Sequence, residues 1–364
     1  MIKEMMKPFA RALLIVASGL MAAGCDKEEN PVKSQVTYQA DLAVPFAGYS
    51  DSVRVCAWKD DKRAAYSVAF DDATRSSHYL VSAPELEARG MRGTFNLNTK
   101  GITDWEPWQK LFDKGHELAS HSWSHLRMGD LDEIALHREF SLAKSDLLNH
   151  IKGLKEVPSF TFPMGSSSAL ARAVALQYHH SARAGSGVNA AVLTQEELSR
   201  VKGVGVYPPY DMSRFEAPVN EALERGGWVL IYFHTVSAAE ESGDTTIPLS
   251  LYRVHLDYVK IRADQFWLAT QGEAATYLYA REATEPQLTT REERILQITM
   301  AAPNLRGEEA GSLSVVVRKP EEWRDHAIVV ELDGAILTTI AASPSEQFVC
   351  DLPVNKTVWL WARK

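Results

Sequence analysis

Two histidines lie four positions apart in the stretch GHELASHSWSHLR, residues 115–127. Imidazole nitrogens are common ligands of zinc, and His121 and His125 would supply two of the three protein ligands that a catalytic zinc site uses. A histidine pair alone is weak support for a metal site, because such spacings also arise by chance. The third ligand must therefore be sought elsewhere in the chain.

Two neighbouring acids offer that third ligand. Asp71 and Asp72 directly follow the run AAYSVAF, which is typical of a buried strand. One carboxylate can bind the metal while the other accepts a proton, since neighbouring side chains at a strand end need not point the same way. His234, a possible proton donor, follows a second apolar run, WVLIYF. The competing interpretations are a helix N-cap for the two acids and a buried structural histidine for His234.

The surrounding pattern predicts a scaffold that brings these residues together. From residue 64 onward, β-rich runs alternate with helical segments, which predicts a mostly parallel sheet, open or closed into a barrel. Reactive residues of such barrels lie at the carboxyl ends of the strands. The residues that follow predicted strands here are Asp71, Asp72, His121, Pro163 and His234.

Four short motifs, in order, carry a family resemblance. AFDDA, HSWSH, FTFPMG and IYFH resemble the motifs of the polysaccharide deacetylase family, the NodB-homology group or carbohydrate esterase family 4. The resemblance covers roughly residues 64–282. It implies an α/β fold, a distorted (β/α) barrel of the NodB-homology type, and a metal-dependent deacetylase acting on a carbohydrate. Each motif alone is weak, and the ordered set is specific.

The resemblance also implies roles for individual residues. The implied assignment is Asp72, His121 and His125 as metal ligands, Asp71 as general base, His234 as general acid, and Met164 as the backbone N–H donor to the oxyanion. One divalent metal is implied, and zinc suits two imidazoles and a carboxylate best, with cobalt or nickel as alternatives. Trp123, Phe162 and Pro163 are candidate substrate contacts, although Trp123 can equally be a packing residue.

The third motif departs from the family pattern. Where the family has R-x-P-Y, this chain has T-F-P-M, so that Thr161 replaces an arginine and Met164 replaces a tyrosine. Arg183 in HSARAG is a candidate to supply the missing charge from a neighbouring strand, although it can instead pair with a surface acid. Asp211 is considered as a support for His234, on a poorer match.

Composition and charge limit the possible partners. The chain has 364 residues, 45% of them hydrophobic, and a net charge of -8. This composition predicts a packed core and not a disordered chain. The acidic balance argues against a nucleic-acid binder, which usually carries a basic face. Composition names no specific partner: the resemblance implies an acetylated glycan, and the amino terminus implies a membrane through a lipid anchor.

The amino terminus predicts export. Basic residues precede the apolar run ALLIVASGLMAA, and MAAGC follows the small-residue-then-cysteine pattern of bacterial lipoproteins. Residues 1–24 are predicted as a lipoprotein signal peptide, Cys25 as the lipidated residue, and 25–63 as a tether and lead-in. The expected location is a bacterial membrane, on its periplasmic or cell-surface face. An ordinary signal peptide with a chance cysteine is the alternative.

The carboxyl-terminal region has a different pattern. Residues 283–290 are predicted as a linker, and 291–364 as a small all-β, sandwich-like domain of short strands. Trp359 and Trp361 lie two apart on one strand face and are interpreted as core residues, with a sugar platform as the alternative. Cys56 and Cys350 either form a disulfide or remain buried thiols.

Three functions remain open at this point. The leading one is the removal of acetyl groups, N-acetyl favoured, from a carbohydrate by metal-activated water. The second keeps the fold and cleaves O-acetyl esters. The third is a glycan-binding lipoprotein with weak catalysis, which the altered third motif makes possible.

Overall fold

The computed structural model describes residues 44–45, 52–73, 75–208, 210, 212–241, 245–292, 295–303, 305 and 311–363. The predicted signal peptide, Cys25 and Asp211 lie outside these residues. Within the described part, no helix combines the length and the apolar character that crossing a membrane requires.

The described elements form a barrel region and a region of antiparallel sheets. The strands are β1 Val44–Pro45, β2 Ser52–Val55, β3 Ala64–Phe70, β4 Thr94–Leu97, β5 Glu117–Ser120, β6 Ser159–Thr161, β7 Ser181–Ser186, β8 Val201–Gly205, β9 Trp228–Phe233, β10 Thr235–Ser237, β11 Thr246–Pro248, β12 Phe266–Leu268, β13 Glu285–Glu292, β14 Ile295–Ala301, β15 Ser312–Arg318, β16 Ala327–Leu332, β17 Ala335–Ile340, β18 Gln347–Pro353 and β19 Thr357–Arg363. The helices are α1 Ala83–Glu87, α2 Glu106–Asp113, α3 Glu133–His150, α4 Ala169–Tyr178, α5 Gln195–Leu198, α6 Ser213–Arg225, α7 Leu249–Lys260 and α8 Gln271–Glu282.

The strands from β3 to β9 form a closed parallel barrel. Each pairs in parallel with the next, and β9 pairs back to β3, from Ala65 opposite Trp228 to Phe70 opposite Phe233. β3 has two neighbours on its other edge: β12 pairs with its first half, and β4 pairs with its last two residues. Every residue of β3 is buried, because side chains fill the barrel inside and helices cover it outside. The predicted distorted (β/α) barrel is confirmed.

Helix α3 covers one side of the barrel near the histidine motif. It begins after Asp132, whose side chain accepts a hydrogen bond from the N–H of Ala135 at 2.8 Å. Its buried face includes Leu136 and Phe140, and Phe140 packs edge-to-face on Phe160 of β6 with ring centroids 4.7 Å apart. This apolar packing fixes the helix beside β5 and β6.

The carboxyl-terminal region is a β-sandwich of two antiparallel sheets. One sheet has the order β1-β2-β15-β18 and the other β13-β14-β19-β16-β17. Their inner faces share one apolar core, to which Val53, Val315, Ile298 and Leu360 contribute. The predicted all-β, sandwich-like domain is therefore present, and β2 from the predicted lead-in is one of its strands.

Two local expectations differ from the structure. The predicted linker 283–290 lies largely in β13. This is an edge strand, and its polar composition is also typical of a linker. The interpretation of Trp359 and Trp361 as core residues is wrong, because the alternate residues of β19 fill the core and both tryptophans are half-buried on the outer face.

Cys56 and Cys350 are buried free thiols. β15 lies between β2, which ends next to Cys56, and β18, which contains Cys350. Two strand spacings amount to about 10 Å, which is beyond the Cα separation of a disulfide. Burial raises the pKa of the Cys350 thiol to about 12, so that it stays protonated and unreactive.

Candidate active site

The three predicted metal ligands meet at the carboxyl end of the barrel. Asp72 follows β3, and His121 follows β5. The Nε2 atom of His125 lies 2.9 Å from Oδ1 of Asp72, and Nε2 of His121 lies 3.5 Å from the same oxygen. One ligand atom from each residue lies within 4.8 Å of the others, so one ion can contact all three. The structure thus brings together residues far apart in sequence.

The side-chain environment suits a cation at this point. Nδ1–H of His121 donates to the carbonyl oxygen of Thr161 at 2.8 Å, which directs its Nε2 atom at the acid. Hydrogen bonds from His121 and His125 lower the pKa of Asp72. The hydrogen bond to Asp72 raises the pKa of His125. A bound metal would replace these protons on the same lone pairs.

The ligands are presented by strained backbone. Asp72, Ser122 and His125 have φ values of 54°, 66° and 60°, in the left-handed region that side chains disfavour. Ser122 stabilises the loop, because its Oγ accepts a hydrogen bond from the N–H of His125 at 2.9 Å. Residues in such conformations persist where the surroundings hold them, and they cluster at functional sites.

Asp71 is held apart from the metal ligands by a separate set of contacts. Its buried carboxylate accepts a hydrogen bond from Nδ2 of Asn96 at 2.9 Å and from Nη2 of Arg183 at 2.5 Å. Burial alone would raise the pKa of Asp71. The charge of Arg183, followed by His121 and His234, outweighs that effect and holds the pKa below its ordinary value. Asp71 is therefore an ionised carboxylate next to the metal ligands.

Arg183 occupies the position that compensates for the altered third motif. It lies directly opposite Thr161 in the pairing of β7 with β6, and its Nε donates to Oγ1 of Thr161 at 3.3 Å. The guanidinium also stacks 3.8 Å from the ring centroid of Tyr232. Gly203 leaves room for this stack, since a Cβ there would lie 2.9 Å from the Arg183 side chain. The predicted pairing of Arg183 with Asp71 is present in the geometry.

His234 stands on another side of the same cleft. Burial lowers its pKa, and the charges of Asp71 and Asp72 offset only part of that effect. Its Nδ1 is buried and has no hydrogen-bond partner among the described residues. Its carbonyl oxygen accepts a hydrogen bond from Nε2–H of His78 at 2.5 Å, which fixes the backbone that carries the ring.

These groups line one cavity of 330 Å³. The lining residues are Asp71, Asp72, His121, His125, Phe162, Met164, Gly165, Arg183, Ala184, Gly185, Ser186, Tyr207, Tyr232 and His234. Met164 has a left-handed φ of 55° and an exposed side chain, so its backbone and not its side chain is the part fixed by the fold. The cavity is a single cleft with a polar floor and tyrosines on one wall.

Two of the three predicted substrate contacts lie away from this cleft lining. Phe162 lines the cavity, and Pro163 beside it is buried. The Trp123 ring packs against two cations instead, with Nζ of Lys100 4.6 Å and the guanidinium carbon of Arg138 5.4 Å from its centroid. Trp123 therefore braces the histidine loop against α3.

Comparison with known protein families agrees with this site. Residues 59–182 match the family model described as polysaccharide deacetylase, and that range contains Asp71, Asp72, His121 and His125. These residues are therefore similar to polysaccharide deacetylases. The barrel itself continues beyond this range to β9, which pairs with β3 and precedes His234.

The individual proteins that this chain resembles are distant in sequence. A gellan lyase from a Bacillus species is 23% identical over 295 residues, which cover 74% of this chain and 12% of that protein. A Mycobacterium smegmatis structure, provisionally described as a polysaccharide deacetylase, has a TM-score of 0.46 and 16% identity, covering 65% of this chain and 98% of that one. The Xyl-CE4 domain of a multidomain xylanase from the hindgut metagenome of Trinervitermes trinervoides has a TM-score of 0.41 and 17% identity, covering 61% and 92% respectively.

Two residues of the site were missed by the sequence analysis. Tyr232 stacks on Arg183, and Glu139 of α3 binds the histidine loop. Tyr232 was findable, because it lies two positions before His234, and alternate strand residues share a face. Glu139 gave no local signal, because a glutamate on a long helix ordinarily faces solvent.

Proposed function

We propose that this chain is a metal-dependent hydrolase that removes acetyl groups, N-acetyl favoured, from a carbohydrate polymer or oligosaccharide. The observation that carries the proposal is that two neighbouring carboxylates in one cleft have different partners. Asp72, His121 and His125 converge on one point, while Asp71 is held separately by Arg183. A purely structural cluster has no need of two adjacent carboxylates with different partners.

Zinc is the metal we propose for this site. Two imidazole nitrogens and one carboxylate oxygen form the donor set of catalytic zinc sites that retain an open position, and cobalt or nickel can take the same ligands. When bound, such a metal lowers the pKa of its water and polarises an acyl oxygen. The carbonyl of Thr161 orients His121 for that role.

Asp71 is the proposed general base. Its lowered pKa keeps it ionised at neutral pH, and Arg183 and Asn96 fix the carboxylate while it faces the cleft. A positioned base of this kind typically contributes about 10²- to 10⁴-fold to the rate. Arg183 is a positioning residue in this scheme, since it acts on the reaction through Asp71.

His234 and Met164 complete the proposed mechanism. His234 protonates the departing group, and an amine needs that proton more than an alcohol does. The backbone N–H of Met164 donates a hydrogen bond to the oxyanion, a contact typically worth about 3 kcal/mol. The left-handed conformation of Met164 fits a backbone that is fixed for such a purpose.

One observation favours O-acetyl esters as the second candidate substrate. Within the described residues, Nδ1 of His234 has no hydrogen-bond partner, and burial lowers the pKa of the ring. A histidine of this kind is protonated in only a small fraction of molecules at neutral pH. Ester cleavage tolerates that condition better than amide cleavage, because an alcohol is the better leaving group.

The test is acetate release by the purified protein, with residues 1–25 removed, after loading with zinc or cobalt. The substrates are N-acetylated oligosaccharides, peptidoglycan and acetylated xylan, and His234→Ala is run beside the wild type. Metal-dependent release is expected, with the larger loss in His234→Ala on amides. A folded protein that binds metal and releases no acetate from any substrate would contradict the proposal and favour a glycan-binding role.

A further inference from the structure

A buried carboxylate of α3 contacts the loop that carries two of the three metal ligands. Glu139 is 4% exposed. Its Oε2 accepts a hydrogen bond from the backbone N–H of Ser124 at 2.8 Å, and its Oε1 accepts one from the Ser124 hydroxyl at 2.5 Å. Glutamate is rarely buried to this degree, and here both of its oxygens are used on one residue.

The contacted residue directly precedes His125. The loop HSWSH begins and ends with a metal ligand, and two of its residues, Ser122 and His125, have left-handed φ values. Each such conformation costs on the order of 1 kcal/mol or more and persists only where several contacts hold it. Position 124 is therefore where an external contact controls the placement of the His125 ring.

Trp123 also contacts α3 through Arg138, but by a cation–π contact; the other hydrogen bonds of the loop do not duplicate that of Glu139. Ser122 accepts the N–H of His125 from within the loop, and the carbonyl oxygen of Trp123 accepts the N–H of Lys100 at 2.9 Å. Glu139 holds Ser124 from α3, whose apolar face is packed against the barrel core. The position of a rigid helix is thereby transmitted to the loop that carries the ligand.

We infer that Glu139 is a positioning residue of the metal site: it fixes the histidine loop through Ser124 so that His125 meets Asp72 and His121. The inference rests on the proposed function only in requiring a metal at this site, and not on any substrate. Outer-shell partners of metal ligands typically change metal affinity by about 10- to 100-fold when they are removed.

The experiment measures zinc affinity of the purified protein by competition with a chromophoric chelator. Glu139→Ala is expected to bind zinc at least about 10-fold more weakly. Glu139→Gln is expected to stay near the wild type, because its amide oxygen can accept the Ser124 N–H while its amide nitrogen donates to the hydroxyl. Leu136→Ala, at a buried position on the same helix whose side chain cannot hydrogen-bond to Ser124, is the matched control for general loosening.

A second variant keeps the test decisive if Glu139→Ala folds poorly. Ser124→Ala removes only the hydroxyl contact, so zinc affinity should fall by less, and the fall should not add to that of Glu139→Ala in the double variant. The visible spectrum of the cobalt-loaded protein should change in Glu139→Ala and not in Leu136→Ala, because it reports ligand geometry.

Each outcome decides the inference separately from the proposed activity. Unchanged zinc affinity in folded Glu139→Ala, or an equal loss in Leu136→Ala, would overturn it. A wild-type protein that binds no zinc would overturn both the metal site and the inference. A wild type that binds zinc but releases no acetate would contradict the deacetylase proposal alone, and the zinc affinities of the variants would still decide the role of Glu139.

Discussion

Two carboxylates at opposite ends of the barrel show what distinguishes a candidate catalytic carboxylate from a structural one. Asp71 follows β3 at the carboxyl end, and Glu117 is the first residue of β5 at the amino end. Burial raises the pKa of both groups. Asp71 nevertheless has a lowered pKa, because Arg183 stands against it, whereas Glu117 has a raised pKa.

The difference lies in the partners of each carboxylate. Glu117 is surrounded by neutral donors: the hydroxyls of Ser159 and Thr94, and the backbone N–H of Gly272 at the start of α8. It ties α8 to three barrel strands. Asp71 instead has a cation on one side and the metal ligands and cleft on the other. A perturbed pKa alone therefore does not identify a functional site, and neither does a cavity, because Glu117 also lines one. The charged partner and the neighbouring histidines are what distinguish Asp71.

The largest expected effect is on the activity of Asp71→Asn. Asparagine cannot accept the proton, so kcat/KM for acetate release should fall by about 10²- to 10⁴-fold. Zinc affinity should change little, because Asp72 and the histidines are untouched. Steady-state kinetics and chelator competition on the same preparation measure both. Retained activity, or loss of the metal together with the activity, would remove the distinction between Asp71 and the metal ligands.

Arg183→Met tests whether the charge of Arg183 causes the difference in pKa between Asp71 and Glu117. Without Arg183, burial dominates and the pKa of Asp71 rises, so the acidic limb of the kcat/KM profile should move to higher pH. In the wild type, the lowered pKa stabilises the fold above the ordinary aspartate range, and this stability is lost as pH falls through the folded pKa. The variant loses that stabilisation and must carry an unpaired buried anion at neutral pH.

The same variant should therefore lose stability with a characteristic pH dependence. Breaking a buried ion pair by removing one partner typically costs about 3–5 kcal/mol. The gap in urea unfolding free energy between wild type and Arg183→Met should widen as pH rises, because the unpaired carboxylate ionises. Arg183→Lys, which keeps the charge, serves as the control. An unshifted pH profile in Arg183→Met would show that Arg183 does not set the protonation of Asp71.

The sequence predicted the barrel and the grouping of Asp72, His121 and His125 because both follow local rules. Apolar runs followed by polar residues mark the carboxyl ends of buried strands, and parallel strands place those ends together. Arg183 was predicted because Thr161 lacks the charge that the third motif normally provides, so another residue had to supply it. The sequence could suggest Arg183 as a replacement for that charge, but only the register of β6 with β7 places Arg183 opposite Thr161.

The remaining features depend on contacts that no local pattern encodes. β2 pairs with β15, which lies more than half of the chain away in sequence, so the sequence analysis predicted only a lead-in there. In β19, VWLWA is apolar at both alternating positions, so periodicity cannot tell which face is buried, and the assignment of the two tryptophans to the core was wrong. Glu139 was missed for the same reason: its function depends on a loop that folds back onto α3.

Glu117→Gln is expected to have the smallest effect and to complete the comparison. The raised pKa of Glu117 means that the folded protein binds a proton more tightly than the unfolded chain, so its contribution to stability falls as pH rises through the folded pKa. Glutamine has the same shape and cannot ionise, so Glu117→Gln should flatten this pH dependence and cost on the order of 1 kcal/mol at most under acidic conditions. Urea unfolding from about pH 4 to about pH 8 measures the slope.

Acetate release by Glu117→Gln should be unchanged, because Glu117 lies at the end of the barrel away from the cleft. A fall in kcat/KM comparable with that of Asp71→Asn would mean that the two ends of the barrel are not functionally separate.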